Sequence, residues 1–224
     1  MSNTDGPPLD IVFRDAHLLA VNKPPGMAVQ PDRTGDACLL DLVSTAFPAA
    51  AIGSPHRLDR PVSGLVVLTL DAGTLSAMDQ LFRERRVTKT YLAVVEGITA
   101  QEGTLAHRLV HRGGTRKATV APANGGKKVE LRFRVRHTGE RYTLLEVEPQ
   151  GGAFHQIRAQ LAAMGHPIKG DVKYGARRGE RDRSIALHAW RLAFVHPVTG
   201  LPVEVEAPLP EGSLLKKLFA APER

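Results

Sequence analysis

Cysteine is almost absent from this sequence of 224 residues, since Cys38 is the only one. A single cysteine cannot form an intrachain disulfide or a thiolate metal site, and this usage is typical of a reducing compartment. No apolar run approaches the ~20 residues that span a bilayer. The start, "MSNTDGPPLD", has neither the basic nor the apolar part of a signal peptide. We therefore expect a soluble cytoplasmic protein that has no membrane partner.

Basic residues outnumber acidic residues only in the second part of the chain. Residues 1–100 hold 9 Lys and Arg against 11 Asp and Glu, whereas residues 101–224 hold 21 against 12. Most of the excess lies between Arg108 and Arg141. Clustered cations bind polyanions by releasing counterions from phosphates, which favours a polyanionic partner. A solvated basic face that keeps the protein soluble is the alternative, and charge alone does not choose between the two.

Many short strand patterns and few helical ones predict an α+β fold with a mixed, mostly antiparallel sheet flanked by helices. No repeat or long linker divides the chain. We therefore expect residues 1–10 to be a short flexible segment and residues 11–224 to be a single domain. The predicted elements are strands at 11–13, 18–21 and 65–70, helices at 36–47 and after Asp71, strands at 87–97, 129–136 and 142–149, a helix at 154–164, strands at 185–195 and 202–206, and a helix near 213–220.

The segment 129–136, "VELRFRVR", alternates between apolar and charged residues. This period of two predicts a strand that is buried on one face. Its other face would carry three cations, which we expect to contact a polyanion: Arg132, Arg134 and Arg136.

Asp59 stands between two arginines in "SPHRLDRPVSGLVVLTLD" and leads into a buried strand. In an extended segment Arg57 projects to the same side as Asp59, and Arg60 follows directly. Nearby cations favour the ionised carboxylate, which suits a nucleophile or an electrostatic stabiliser and not a general acid. An ion pair that only ties down a loop is the alternative from these residues alone.

The stretch "HRLDRPVSGLVVLT" resembles the signature of the RluA-type pseudouridine synthases. "VNKPPGMAVQP" is similar to the N-terminal motif of that family, "KTYLAVVEG" to its middle motif and "HQIRAQLAAMGHPIKGDVKYG" to its C-terminal motif. The four stretches occur in the expected order between about residues 11 and 207. The resemblance implies the pseudouridine synthase catalytic fold with a central cleft, here without an additional N-terminal RNA-binding domain. It also implies isomerisation of uridine to pseudouridine in ribosomal or transfer RNA, with no cofactor and no metal.

Carried over position by position, the resemblance makes Asp59 the catalytic aspartate and Arg158 the arginine that pairs with it. Tyr91 matches the tyrosine that stacks on the target uracil. Arg57 matches the arginine that fills the place of the flipped-out nucleotide. Other motif positions are expected to bind substrate: His56, Lys89, His155 and Gln156. RNA contacts are expected from Lys23, from the cations of 129–136 and from "HRGGTRK" at 111–117.

The chain departs from the family pattern directly before "HQIR". Many members have Gly-Arg-Thr there, whereas this sequence has Ala153 and Phe154. The change removes a cation at the start of the helix, which puts any substrate contact at that point in doubt.

Several alternatives stay open. The spacing of His107 and His111 could hold a metal on a helix, but "HRGG" does not look helical and no carboxylate stands nearby. A base-excising glycosylase would use the same base flipping, and a non-catalytic RNA-binding protein would use the same basic surface. We expect a monomer that acts on an RNA stem-loop. The identity of the RNA, the mode of attack by Asp59 and the role of Ala153 and Phe154 are not encoded in any motif.

Overall fold

The computed structural model describes residues 9–111, 117–122 and 124–221. The predicted segments 1–10 and 111–117 therefore lie largely outside the described residues. The strands are β1 (Ile11–Arg14), β2 (Leu18–Lys23), β3 (Ser63–Thr69), β4 (Thr88–Glu96), β5 (Glu102–Val110), β6 (Thr119–Val120), β7 (Lys127–Thr138), β8 (Tyr142–Pro149), β9 (Leu187–Val195) and β10 (Pro202–Glu206). The helices are α1 (Leu39–Ala46), α2 (Ala72–Arg83), α3 (Gln156–Ala163) and α4 (Leu214–Phe219), with a 3₁₀ turn at Val172–Tyr174.

The chain forms two compact units, and the boundary between them passes through β9. Unit 1 contains residues 1–87 and 191–208, and unit 2 contains residues 88–190 and 209–224. Across the described residues no helix is both long and apolar enough to cross a membrane.

Unit 1 is built on the antiparallel neighbours β1, β2 and β3, and β10 pairs with the last part of β9. Every residue of β3 is buried, as the run "LVVLTL" predicts. Helix α2 begins at Asp71, whose side chain accepts a hydrogen bond from the Thr74 N–H at 2.7 Å. Its apolar face joins one core with the sheet, in which the buried residues include Leu65, Val67, Met78, Leu81 and Phe194.

Unit 2 is built on antiparallel strands in the order β4, β8, β7, β5, β6. Helix α3 packs against β5, β6 and β8. Its Ala159 belongs to a buried cluster with Leu109, Val129 and Tyr174. Helix α4 packs with Trp190 on a second cluster around Leu92 and Leu144. The expected α+β class with a mostly antiparallel sheet is confirmed.

Two details differ from the sequence pattern. The alternation of β7 holds through Phe133, but a bulge between Val135 and His137 shifts the register, so that His137 is buried and Val135 is only half-buried. Helix α3 begins at Gln156 and not at Phe154, because the backbone of His155 has a left-handed φ of 53° and starts the helix from outside.

Candidate active site

In unit 1, Asp59 lies on a loop that its neighbours fix to the core. Leu58 and Val62 are buried, with 4% and 2% of their surface exposed, whereas Arg57 is exposed and Asp59 is half-buried. The Val62 N–H donates to the Asp59 carbonyl at 3.0 Å, which closes a turn directly before β3. The Asp59 carboxylate is thus at the surface end of a rigid segment.

His56 contributes to this rigidity. Its Nε2 accepts a hydrogen bond from the Val67 N–H at 2.9 Å, and its ring stacks on Phe82 with 4.7 Å between centroids. Both contacts join the Asp59 loop to β3 and α2. The geometry gives His56 a packing role, and its expected contact with substrate stays a prediction.

Arg60 binds carboxylates other than that of its sequence neighbour Asp59. Its guanidinium bonds to the carboxylates of Asp32 at 3.0 Å and Asp36 at 2.7 Å and to the Thr34 hydroxyl at 2.7 Å. Hydrogen bonds from Thr34, together with Arg60, lower the pKa of Asp32 to about 2. The expectation that Arg60 is a cation supporting Asp59 is therefore corrected: Arg60 fastens the 32–36 loop.

The structure places a buried cation, Lys23, near Asp59. The side chain is fully buried, and Nζ donates to the carbonyls of Pro24 at 2.8 Å, Met27 at 2.9 Å and Arg60 at 3.4 Å. Burial lowers the pKa of Lys23 to about 7, while attraction to the Asp59 carboxylate opposes that shift. Lys23 was expected to contact RNA, but an ammonium enclosed by carbonyls does not reach a phosphate, so this expectation is corrected.

In unit 2, Tyr91 and Lys89 lie two residues apart on β4 and are both half-buried. Residues at this spacing share one face of a strand. Lys89 Nζ donates to the carbonyl of Gly151, which ties this face of β4 to the loop before α3. Tyr91 pairs in register with Val147 of β8.

Arg158 forms a buried, two-pronged ion pair with Asp171. Its Nε lies 2.7 Å from Asp171 Oδ2 and its Nη2 lies 2.9 Å from Oδ1, and the two side chains are 5% and 1% exposed. The resemblance names Asp59 as the partner of Arg158. Within unit 2 the carboxylate that orients this guanidinium is Asp171.

His155 extends the pair into a network. Its Nε2 lies 3.0 Å from Arg158 Nη1 and its Nδ1 lies 2.8 Å from Tyr174 Oη. Burial, with the positive charges of Arg158 and Lys173, lowers the pKa of His155 to about 3, so the ring is neutral at pH 7. Because an arginine can only donate, Nε2 accepts and Nδ1 carries the proton that is donated to Tyr174.

Side chains that were expected to bind substrate, those of His155 and Gln156, form hydrogen bonds within the protein instead. Tyr174 Oη also accepts from the Ala118 N–H at 2.9 Å. Gln156 is buried; its Nε2 donates to the Glu130 carbonyl at 2.9 Å and its Oε1 accepts from the Ala153 N–H at 3.2 Å. The expectation that Gln156 binds substrate is therefore corrected, and the ring nitrogens of His155 are likewise used inside the protein.

Comparison with known proteins identifies the family of this chain. A model of the family described as RNA pseudouridylate synthase matches residues 17–163. This chain belongs to that family. The prediction made from the four motifs is confirmed, and the family is one of isomerases that act on RNA.

Curated relatives and solved structures support the membership. Ribosomal large subunit pseudouridine synthase D of Xylella fastidiosa is 34% identical over 232 residues, covering 96% of this chain and 69% of that protein. tRNA pseudouridine synthase C of Salmonella typhi is 32% identical over 225 residues, covering 91% and 86%. The structure of human RNA pseudouridylate synthase domain containing 1 has a TM-score of 0.77 at 27% identity and covers all of both chains.

Two of the three arginines of β7 face a single acid in this pseudouridylate synthase domain. Arg134 bonds to Glu146 on β8 at 2.7 Å, and Arg136 lies 3.6 Å from the other oxygen of Glu146. Arg132 is exposed and pairs in register with Glu148. An adjacent row of acids reduces the attraction of this face for phosphate, so contacts of these arginines with RNA stay predictions.

Sequence reasoning missed Asp171 and Tyr174. Both lie in the quoted C-terminal motif, in "KGDVKYG", but no spacing rule connects them with Arg158. His107 lies on β5 and not on a helix, and its Nδ1 lies 3.3 Å from Gln160 Nε2. Among the described residues, no group of three or more His, Cys, Asp and Glu side chains is arranged to hold a metal ion.

Proposed function

We propose that this chain isomerises uridine to pseudouridine in RNA, with Asp59 as the residue that attacks the nucleotide. The observation that carries the proposal is the setting of Asp59. Its carboxylate is half-buried on a loop anchored by Leu58 and Val62, and the buried ammonium of Lys23 attracts it. A surface carboxylate that only solubilises a loop needs neither the anchors nor a buried cation.

The reaction rearranges one molecule. Asp59 attacks the uridine, either at the anomeric carbon of the sugar or at the base, and the bond between N1 and the sugar breaks. The uracil turns, its C5 bonds to the sugar, the C5 proton passes to a base and N1 takes up a proton from solvent as the carboxylate is released. Product and substrate have the same atoms, so the chemistry consumes no co-reactant.

The nucleotide must leave its stack before the glycosidic bond can be reached. Arg57 is exposed beside Asp59 and can enter the vacated space, because a guanidinium stacks on bases and bonds to phosphates. Tyr91 offers a flat ring with one polar end, which suits stacking on uracil. Asp171 holds Arg158 in one orientation. We propose that this fixed guanidinium contributes to the same reaction as Asp59.

Release of tritium tests the proposal directly. The wild-type protein is incubated with RNA labelled with tritium at C5 of uridine, using ribosomal and transfer RNA from a strain that lacks the gene. We expect tritium in water and no change in the mass of the RNA. Asp59→Asn is expected to abolish release, and Asp79→Asn, an exposed carboxylate on α2, is the matched control.

The other two functions give different results in the same experiment. A base-excising glycosylase would reduce the mass of the RNA by one base. A non-catalytic RNA-binding protein would release no tritium, and its deletion phenotype would be rescued equally by Asp59→Asn. Full tritium release by Asp59→Asn would end the assignment of Asp59.

The proposal also covers the class of RNA, the oligomeric state of the protein and the compartment in which it acts. Relatives named for ribosomal RNA and for transfer RNA are similarly close to this chain, so we propose a stem-loop in one of these two classes as substrate. We also propose a monomer that acts in the cytoplasm, where its buried Cys38 would stay reduced. Mapping pseudouridines with and without the gene identifies the RNA.

A further inference from the structure

A loop rich in arginine follows the C-terminal motif in unit 2. Within residues 177–183, which we call the arginine loop, there are four arginines, and all of them are exposed: Arg177, Arg178, Arg181 and Arg183. The Arg177 side chain is 92% exposed and lies 3.8 Å from the carboxylate of Glu96. None of these residues belongs to a site that the sequence motifs predict.

The body of unit 2 holds the arginine loop at both ends. Directly before it, the Ala176 N–H donates to the Asp171 carbonyl at 3.1 Å. Shortly after it, the Ala186 N–H donates to the Lys169 carbonyl at 2.9 Å. Asp171 is also the residue whose side chain orients Arg158. The arginine loop therefore starts beside the network of the candidate active site.

The acids of the arginine loop bind groups other than its arginines. Glu180 forms an ion pair with Lys169. Asp182 Oδ1 accepts hydrogen bonds from the hydroxyl of Ser184 at 2.7 Å and from its N–H at 3.0 Å, and both lower the pKa of Asp182. Among the described residues, no carboxylate forms an ion pair with three of the arginines: Arg178, Arg181 and Arg183.

This arrangement differs from that of the other arginine-rich surface of unit 2. On β7, Arg134 and Arg136 both face the carboxylate of Glu146. An arginine that already binds a carboxylate gains less from a phosphate, because it must first give up its partner. The arginine loop is therefore the better candidate for a polyanion contact.

The backbone of Arg183 gives a second, independent observation. Its φ is 59°, in the left-handed region that favours glycine, and its N–H donates to the Glu180 carbonyl at 3.1 Å. Arg85 has a similar φ of 60°, but it follows α2 directly, where helices commonly end in this conformation. No helix ends at Arg183. A strained residue that is not glycine indicates a role for its side chain.

We propose that Arg178, Arg181 and Arg183 bind backbone phosphates of the RNA substrate beside the residues that orient Arg158. The proposal rests on the proposed function, because it takes RNA as the partner. A guanidinium matches the geometry of phosphate oxygens, and contacts with the backbone fix the position of a nucleic acid without reading its sequence. We favour RNA over an anionic membrane, because the loop starts at the candidate site of a family that acts on RNA.

The salt dependence of RNA binding tests the arginine loop. The probe is a fluorescently labelled RNA hairpin with a uridine-rich loop, and every protein also carries Asp59→Asn to prevent turnover. Each lost phosphate contact should reduce the slope of log affinity against log salt by about 0.7–0.9. We expect the combined variant, Arg178→Gln with Arg181→Gln and Arg183→Gly, to reduce the slope by about 2–3 and to weaken binding at low salt at least about tenfold.

Arg183→Gly and Arg85→Gly form a matched pair. Each removes an exposed arginine from a left-handed position that glycine adopts without strain, so we expect both variants to fold, and thermal unfolding checks this. Arg183→Gly should reduce the salt slope by about 0.7–0.9, whereas Arg85→Gly should change it by less than about half of that. Arg183→Lys keeps the charge and should keep the slope of the parent.

Several results would overturn the proposal. It is wrong if the parent protein does not bind the hairpin, if the combined variant binds like its parent, or if Arg85→Gly reduces the slope as much as Arg183→Gly. A folded Arg183→Lys that binds as weakly as Arg183→Gly would also refute it. If the combined variant loses binding to vesicles that contain phosphatidylglycerol but keeps binding to the hairpin, the partner of the loop is a membrane and not RNA.

Failure of the proposed function has a different appearance. With Asp59 intact, the combined variant should raise the KM for tritium release and leave kcat within about twofold, because phosphate contacts do not touch the reacting bond. If the wild-type protein releases tritium but the combined variant binds RNA like its parent, only the arginine loop is refuted. If the combined variant loses binding but the wild-type protein forms no pseudouridine in any RNA, the loop stands as an RNA contact and the proposed reaction is refuted.

Discussion

Arg60 and Arg158 each bind carboxylates next to a proposed catalytic position, yet their surroundings differ. Arg60, in unit 1, holds Asp32 and Asp36 on exposed loops. Arg158, in unit 2, holds Asp171 with both side chains out of water and with His155 on a third nitrogen. Exposed pairs contribute little to stability, whereas a broken buried pair leaves an uncompensated charge. The two arginines should therefore contribute very differently to the free energy of unfolding.

Removing one partner of the buried pair should have the largest effect. Asp171→Ala leaves the guanidinium of Arg158 buried without its carboxylate, and such losses cost about 3–5 kcal/mol in free energy of unfolding. Urea titration measures this value. A cost close to that of Arg60→Ala would show that burial does not distinguish the two pairs.

The buried cation of unit 1 predicts a dependence of stability on pH. The folded-state pKa of Lys23 is about 7, below its ordinary value of 10.5. Between these values the unfolded chain holds the proton and the folded protein does not, so unfolding takes up a proton and stability rises with pH. The slope is at most about 1.4 kcal/mol per pH unit, and below pH 7 it vanishes because both states are protonated.

Lys23→Met removes this titration. We expect the difference in free energy of unfolding between wild type and Lys23→Met to change between pH 7 and pH 9 in favour of the wild type. Lys217→Met, at an exposed position on α4, is the matched control and should show no such change. Parallel pH profiles for wild type and Lys23→Met would mean that Lys23 is not protonated differently in the two states.

Within unit 2 the hydroxyl of Tyr174 should contribute less than Asp171. Tyr174→Phe keeps the ring beside Arg158 but leaves the Ala118 N–H and the Nδ1–H of His155 without their acceptor. An unsatisfied buried donor costs about 1–3 kcal/mol. Urea titration of Tyr174→Phe should give a value between those of Asp171→Ala and Arg60→Ala, and a neutral effect would indicate that water replaces the phenol.

Local patterns in the sequence predicted most elements, because each depends on residues close together in the chain. The run at Leu65–Leu68, the cap at Asp71 and the alternation of β7 are of this kind. Strand β5 was missed because Gly103, Thr104 and Ala106 weaken its apolar alternation. The bulge in β7 was missed because it depends on pairing with β8.

The partners of the site residues were harder to predict, because ion pairs form across the fold. Arg60 bonds to residues 24 and 28 positions away, and Arg158 to one 13 positions away. Neighbours in sequence suggested instead that Arg60 supports Asp59. The burial of Lys23 was not predictable from "NKPPG" either. It depends on the fold of the chain, which brings the carbonyls of Pro24 and Met27 within hydrogen-bond distance of Nζ.

The smallest effect should come from Arg60→Ala, which completes the comparison. Its partners are solvent-exposed, so the loss in free energy of unfolding should be small at low salt and should disappear at 1 M NaCl, where the Debye length is about 3 Å. Asp171→Ala should be equally destabilising at both salt concentrations, because solvent ions do not reach its site. Urea titrations of the two variants at low and high salt measure both effects. A salt-independent loss in Arg60→Ala would mean that the 32–36 loop holds the Asp59 segment as rigidly as Asp171 holds Arg158, and the contrast between the units would no longer stand.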